Sequence, residues 1–123
     1  MASENQNFTK WEEDKFVIQF VIQDNEINFQ EEGYGIYWAY ASSSAGTPIA
    51  AKKSGSQYAL SNDPNCRWIN QNTIQITMSA DDTAGQSYQE YYHELAISGT
   101  AADTKTVIAT GTFTLKEPLS PLP

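Results

Sequence analysis

The chain reads as an all-β protein, a single β-sandwich of about seven short strands. Three observations predict it. Apolar residues recur at every second position in stretch after stretch, the period at which strand side chains point to alternate faces. Gly, Pro, Asn and Asp interrupt these stretches at short intervals. No stretch carries the repeat of a long helix. The strongest signal runs from Tyr88 to Leu115. Tyr91, His93, Leu95 and Ile97 share one face of its first half, and Val107, Ala109, Gly111, Phe113 and Leu115 share one face of its second. A polar break from Ser98 to Lys105, with Gly99 and Asp103, folds one half back on the other, so a hairpin with both apolar rows on one core is expected.

Taken in order, Met1 to Asn7 is polar and aperiodic, and residues 1–14 are expected to form an N-terminal arm outside a sandwich spanning residues 15–115. Phe8 and Trp11 stand out in that arm, among Lys10, Glu12, Glu13 and Asp14. Either they fold back onto the domain or they dock into a neighbouring subunit. Phe16 to Gln23 is the first strand, with Phe16, Ile18, Phe20 and Ile22 on one face and Asp24-Asn25 as its turn. Ile27 and Phe29 anchor the next loop, and Gly33 and Gly35 around Tyr34 permit a bend. Gly35 to Ala41 is the second strand, with Ile36, Trp38 and Tyr40 on one face. Ile49 to Lys53 is a short strand at a sheet edge, where its lysines discourage edge-to-edge pairing. Arg67 to Ile69 adds a brief strand. Thr73 to Ser79 follows, with Ile74, Ile76 and Met78 inward. Ser79 is placed to cap one helical turn, with Asp82 three residues later as its partner. The hairpin completes the body. Three prolines between Pro118 and Pro123 favour an extended C-terminal tail over residues 116–123. Short strands spaced by turns are the pattern of a sandwich with immunoglobulin-like architecture, although the Cys-Trp-Cys hallmark of true immunoglobulins is absent.

Composition narrows the function classes. A chain of 123 residues is one domain with room for a real core. Fifteen acidic residues against seven Lys and Arg give a net charge of −8. That charge opposes binding to phosphate backbones or anionic lipid, so neither nucleic acid nor membrane is an expected partner. Eight acids and two lysines fall in residues 1–32, which a solvated face explains and a basic partner surface would explain too. Cys66 is the one cysteine; it has no internal disulfide partner, and a buried inert thiol in a reducing compartment is expected. The N-terminus lacks the character of a secretory signal, and no apolar run reaches the length of a membrane span.

No residue pattern marks an active site. His93 is the only histidine and lies on the core face of its strand, where a packed, hydrogen-bonded side chain is expected. One histidine and one cysteine supply neither a multi-histidine nor a thiolate metal site. No Gly-x-Ser-x-Gly elbow marks a nucleophile, and no phosphate-cradling loop occurs. Asp81-Asp82 reads as a solvated cap. Glu90 and Glu94 share a strand face but lie roughly 13 Å apart, too far for a glycosidase pair. No cofactor or metal is expected. Tyr37, Trp38, Tyr40, Trp68, Tyr88, Tyr91 and Tyr92 could form a sugar-stacking platform, but alternation sends about half of them into the core.

One family is suggested by particular residues: Phe16 to Asn25, Ile74-Gln-Ile-Thr-Met78, Asp82-Thr83, Tyr91-x-His-x-Leu-x-Ile97, and Thr106-Val-Ile-Ala-Thr-Gly-Thr-Phe-Thr-Leu115. In order and pattern these pieces resemble an immunoglobulin-like module of tailed-bacteriophage virion proteins, found at the N-termini of upper baseplate and tail fibre proteins and as short stand-alone virion proteins. The Gly111-x-Phe113 close is the most distinctive piece. The chain departs from the pattern at His93, where an aromatic is usual, and from Gly33 to Arg67. The resemblance implies a non-enzymatic structural part of a virion, made in the host cytoplasm, that acts in a tail, baseplate or neck or as a fibre adaptor. Capsid decoration is the alternative, and a carbohydrate-binding module is a more distant one. Implied partners are other virion proteins and further copies of this chain. Phe8, Trp11, Pro118, Leu119, Pro121 and Leu122 are the expected docking anchors, since apolar residues on preordered arms lower the ordering cost of binding.

Overall fold

A computed structural model of the chain describes residues 7–11, 15–22, 27–55, 65–99 and 105–117. Among the described residues eight strands run in the order β1 (Phe8–Trp11), β2 (Phe16–Val21), β3 (Gly35–Ala41), β4 (Ala50–Ser54), β5 (Cys66–Asn70), β6 (Thr73–Met78), β7 (Glu90–Ser98) and β8 (Thr106–Lys116). A 3-10 turn, Ala80–Thr83, sits between β6 and β7. The strands form an all-β sandwich. One sheet has the order β1-β8-β7-β3-β4 and the other β2-β6-β5. The β1–β8 pair is parallel, and the remaining pairs are antiparallel.

Alternation decides what faces inward. Ile36, Trp38 and Tyr40 of β3, Ile74, Ile76 and Met78 of β6, Tyr91 and Leu95 of β7, and Phe113 and Leu115 of β8 are buried in one cluster between the sheets. Burying such side chains contributes about 1.5–3 kcal/mol each, which makes this cluster the main source of stability. Cys66, the one cysteine of the sequence, is fully buried beside them. The expected hairpin is β7 and β8, and β4 lies at a sheet edge with Lys52 and Lys53. Ser79 begins the 3-10 turn: its N–H donates to Asp82 Oδ2 at 2.7 Å, and the Asp82 N–H donates to the Ser79 carbonyl at 3.2 Å.

Two expectations need correction. Residues 8–11 are not part of an arm. They are an eighth strand, in register with β8 from Phe8–Phe113 to Trp11–Lys116, so the sandwich begins well before residue 15. The physical cause is that β8 would otherwise be an open edge beside a core it helps to build, and Phe8 and Lys10 supply the inward side of a strand that covers it. Val107 is not in line with Ala109. The β7–β8 register shifts between Leu95 and Ala96, so that Leu95 faces Ala109 while Ala96 faces Val107. Ile108 is the extra residue of this bulge, and it packs against the core in place of Val107. The C-terminal boundary falls at Lys116, where β8 ends.

Candidate functional site

His93 lies opposite Tyr40 on β3 and Gly111 on β8, and it has no solvent exposure. Trp38 Nε1–H donates to His93 Nδ1 at 3.3 Å, between neighbouring strands on the core face of the larger sheet. An accepting Nδ1 places the ring proton on Nε2 in the neutral imidazole. The rings of Phe8, Phe20, Trp38 and Phe113 surround the imidazole, with centroids 5.2, 6.2, 6.1 and 6.5 Å away. The alternation that placed Tyr91 and Leu95 inward carries His93 with them. This is a sealed packing arrangement, and it gives a substrate no approach to the ring.

A second polar cluster closes one end of the sandwich around the 3-10 turn. Lys10, fully buried, donates from Nζ to the Trp11 carbonyl at 3.2 Å and to Thr83 Oγ1 at 3.4 Å. Thr83 Oγ1 donates to the Ala80 carbonyl at 3.4 Å. Tyr40 Oη–H donates to the Asp82 carbonyl at 2.5 Å, and Lys52 Nζ lies 2.8 Å from Asp82 Oδ1. Buried ammonium and hydroxyl groups persist only when bonded, so these contacts hold the turn against β1, β3 and β4. Neither the buried Lys10 nor its contact with Thr83 was expected. A lysine among acids reads as solvated, and only the two-residue spacing from Phe8 marks it as inward.

Burial pushes the Tyr40 phenol up to about 12 from its ordinary value of 10, with the negative charges of ionised Tyr91 and of Asp82 adding to the effect. Burial alone raises Tyr91. The neutral phenol is therefore the form the fold selects. Its stabilising contribution is complete below pH 10, where both states are protonated, and is lost between about pH 10 and 12, where only the unfolded chain ionises. Stability is therefore expected to fall across that window, as the unfolded chain ionises first. Alkaline urea titrations of the parent and of Tyr40→Phe check this; the variant should show a shallower loss of stability.

The expected docking anchors divide. Phe8 is half-buried, stacked on Phe16 at 4.8 Å and on Phe113 at 4.9 Å, and belongs to the core. Trp11 is 39% exposed, with Lys116 Nζ 5.7 Å from its ring. Pro118, Leu119, Pro121 and Leu122 lie outside the described residues. The seven aromatics considered for sugar stacking do not gather on one surface. Trp38, Tyr40 and Tyr91 are buried. Trp68 donates from Nε1 to the Tyr34 carbonyl at 2.8 Å and stacks on Phe29, while Tyr37 lies under Lys53 and Lys105. Tyr92 bonds to Glu94, and Tyr88 is 48% exposed. Among the described residues no group of His, Cys, Asp and Glu is arranged to hold a metal ion, and no helix is long and apolar enough to cross a membrane.

What the described surface offers instead is strand edges: β1 and β4 bound the larger sheet, β2 and β5 the smaller. Such edges are suited to protein contacts through main-chain hydrogen bonds. Compared with known protein families and with curated proteins, the chain has no match in either comparison.

Proposed function

We propose that this chain is a non-enzymatic structural protein of a tailed-bacteriophage virion, an immunoglobulin-like sandwich that joins other virion proteins in a tail, baseplate or neck, or adapts a fibre to them. The observation that carries the reading is the set of residues resembling the virion module. Those pieces fall on β2, β6, the turn at Asp82-Thr83, β7 and β8, two strands of each sheet.

The immunoglobulin-like part has its own support. With β2, β6 and β5 on one sheet and β3, β7 and β8 on the other, the strands follow the B-E-D and C-F-G division of an immunoglobulin sandwich. Tyr91, near the start of β7, donates its hydroxyl to the Ser87 carbonyl at 2.6 Å. That is the bond of a tyrosine corner, and it lies two residues before His93 as the corner lies two before the second immunoglobulin cysteine. Trp38 is a buried tryptophan on the third strand of that scheme. Phe20 and His93 meet across the sheets where an antibody domain has its disulfide, so ring packing and the Trp38 bond replace the missing cysteines.

Blocking synthesis of this chain in the infected host with a stop codon tests the role. Stalled particles with incomplete tails, restored by supplying the chain in trans, are expected. Heads that assemble but shed DNA or lose stability would move the chain to capsid decoration, and a normal yield of infectious particles would overturn the virion reading.

A further inference from the structure

We propose that β2 is the contact between two copies of this chain, paired antiparallel about a two-fold axis through Gln19 so that their three-stranded sheets become one of six strands. The inference stands on the strand edge and does not depend on the virion reading.

Among the described residues β2 pairs with β6 alone. The phase of that ladder follows from its last bond, Ile22 N–H to the Asn72 carbonyl at 2.9 Å. Residues in an antiparallel ladder alternate between exchanging hydrogen bonds with the neighbour and turning them away. Residues 16, 18 and 20 share the phase of Ile22 and bond to β6. Val17, Gln19 and Val21 therefore turn their N–H and C=O groups to the open edge. The side chains of the same three residues face outward, with Val17 at 43% and Val21 at 55% exposure.

These residues are complementary to themselves. A two-fold axis through Gln19 sets each Val17 opposite Val21 of the second copy and the two Gln19 residues opposite each other. Each of those pairs is of the kind that exchanges two bonds, so every edge N–H and C=O of the three residues is satisfied. Inward, the same register sets Ile18 opposite Phe20, apolar against apolar. A register shifted by one residue would oppose outward to inward side chains. The remaining edges carry devices that discourage such pairing. β4 has Lys52 and Lys53, β5 has Arg67 and an irregularity between Trp68 and Asn70, and β1 is only four residues long. β2 has six residues, Phe-Val-Ile-Gln-Phe-Val, with no charge, proline or bulge.

The test is the mass of the full chain in solution, by light scattering or sedimentation over a dilution series, together with charge pairs at the outward positions. The parent should show a dimer that dissociates on dilution. Val17→Lys with Val21→Lys sets like charges opposite each other and should leave only monomer, with folding checked by circular dichroism. Val17→Lys with Val21→Glu sets opposite charges together and should restore the dimer. Register is read by cross-linking. Gln19→Cys brings two thiols together at a Cα separation of about 5.5 Å, within disulfide reach, and should form a covalent dimer under mild oxidation. Val17→Cys leaves its two copies about 13 Å apart and should not. A parent that is monomeric at every concentration, a dimer untouched by the double lysine variant, or equal cross-linking at both positions would overturn the proposal.

Discussion

Deleting residues 1–14 is expected to destabilise the sandwich by about 3–5 kcal/mol or more, with a clear fall in the urea midpoint. The deletion removes a strand of the larger sheet. With it go the Phe8 ring from between Phe16 and Phe113, the ladder along β8, and the Asn7 side chain that accepts from the Thr112 N–H at 2.9 Å. Lys10 also leaves, taking its bond from the buried Thr83 hydroxyl. Point variants separate these effects. Phe8→Ala should cost about 2–4 kcal/mol, somewhat below a fully buried phenylalanine because Phe8 keeps partial exposure. Trp11→Ala should cost under about 1 kcal/mol, since its ring lies on the surface. If deletion leaves the midpoint unchanged, residues 8–11 are an arm after all, and the β1–β8 pairing is wrong.

Trp38→Ala is expected to cost about 3–5 kcal/mol, through the largest cavity a single truncation can open in this core. Trp38 has no exposure, packs against Tyr40 and His93, and holds the imidazole through Nε1. The hydrogen bond can be read apart from the volume. His93→Leu puts an apolar side chain of similar size in its place and removes the acceptor, so the buried indole N–H loses this partner at about 1–3 kcal/mol. Trp38→Phe with His93→Leu removes both ends, and a coupling of about 1 kcal/mol should remain in the double-mutant cycle. Additive single effects would mean that the contact at 3.3 Å carries no net stabilisation.

Much of this arrangement was legible before the structure because alternation is a strong signal where strands are long and one face is buried. β3, β6, β7 and the end of β8 have that form, and the inward rows containing Trp38, Ile76, His93 and Phe113 follow from it. The cap at Ser79 was legible for a different reason, the three-residue spacing to Asp82. Two features lacked a signal. β1 is four residues long, its partner is parallel and distant in sequence, and its inward lysine argues against burial until Thr83 and the Trp11 carbonyl are seen beside it. The bulge at Ile108 was hidden because Val107, Ile108 and Ala109 are all apolar, so either phase of the strand satisfies the pattern. The docking surface is harder still. Tyr88 or Trp11 looks like an anchor by residue type, whereas an edge is recognised only when the partners of a strand are known. Val17, Gln19 and Val21 read as an ordinary outward row until β2 is found at the margin of its sheet.

The reading as a virion component is tested most directly by quantitative mass spectrometry of purified phage particles from the source preparation. The chain is expected to co-purify with particles at about a few dozen copies or fewer, the stoichiometry of a symmetric ring or fibre attachment in a tail. Absence of the chain from particles that contain their other structural proteins in full would contradict it.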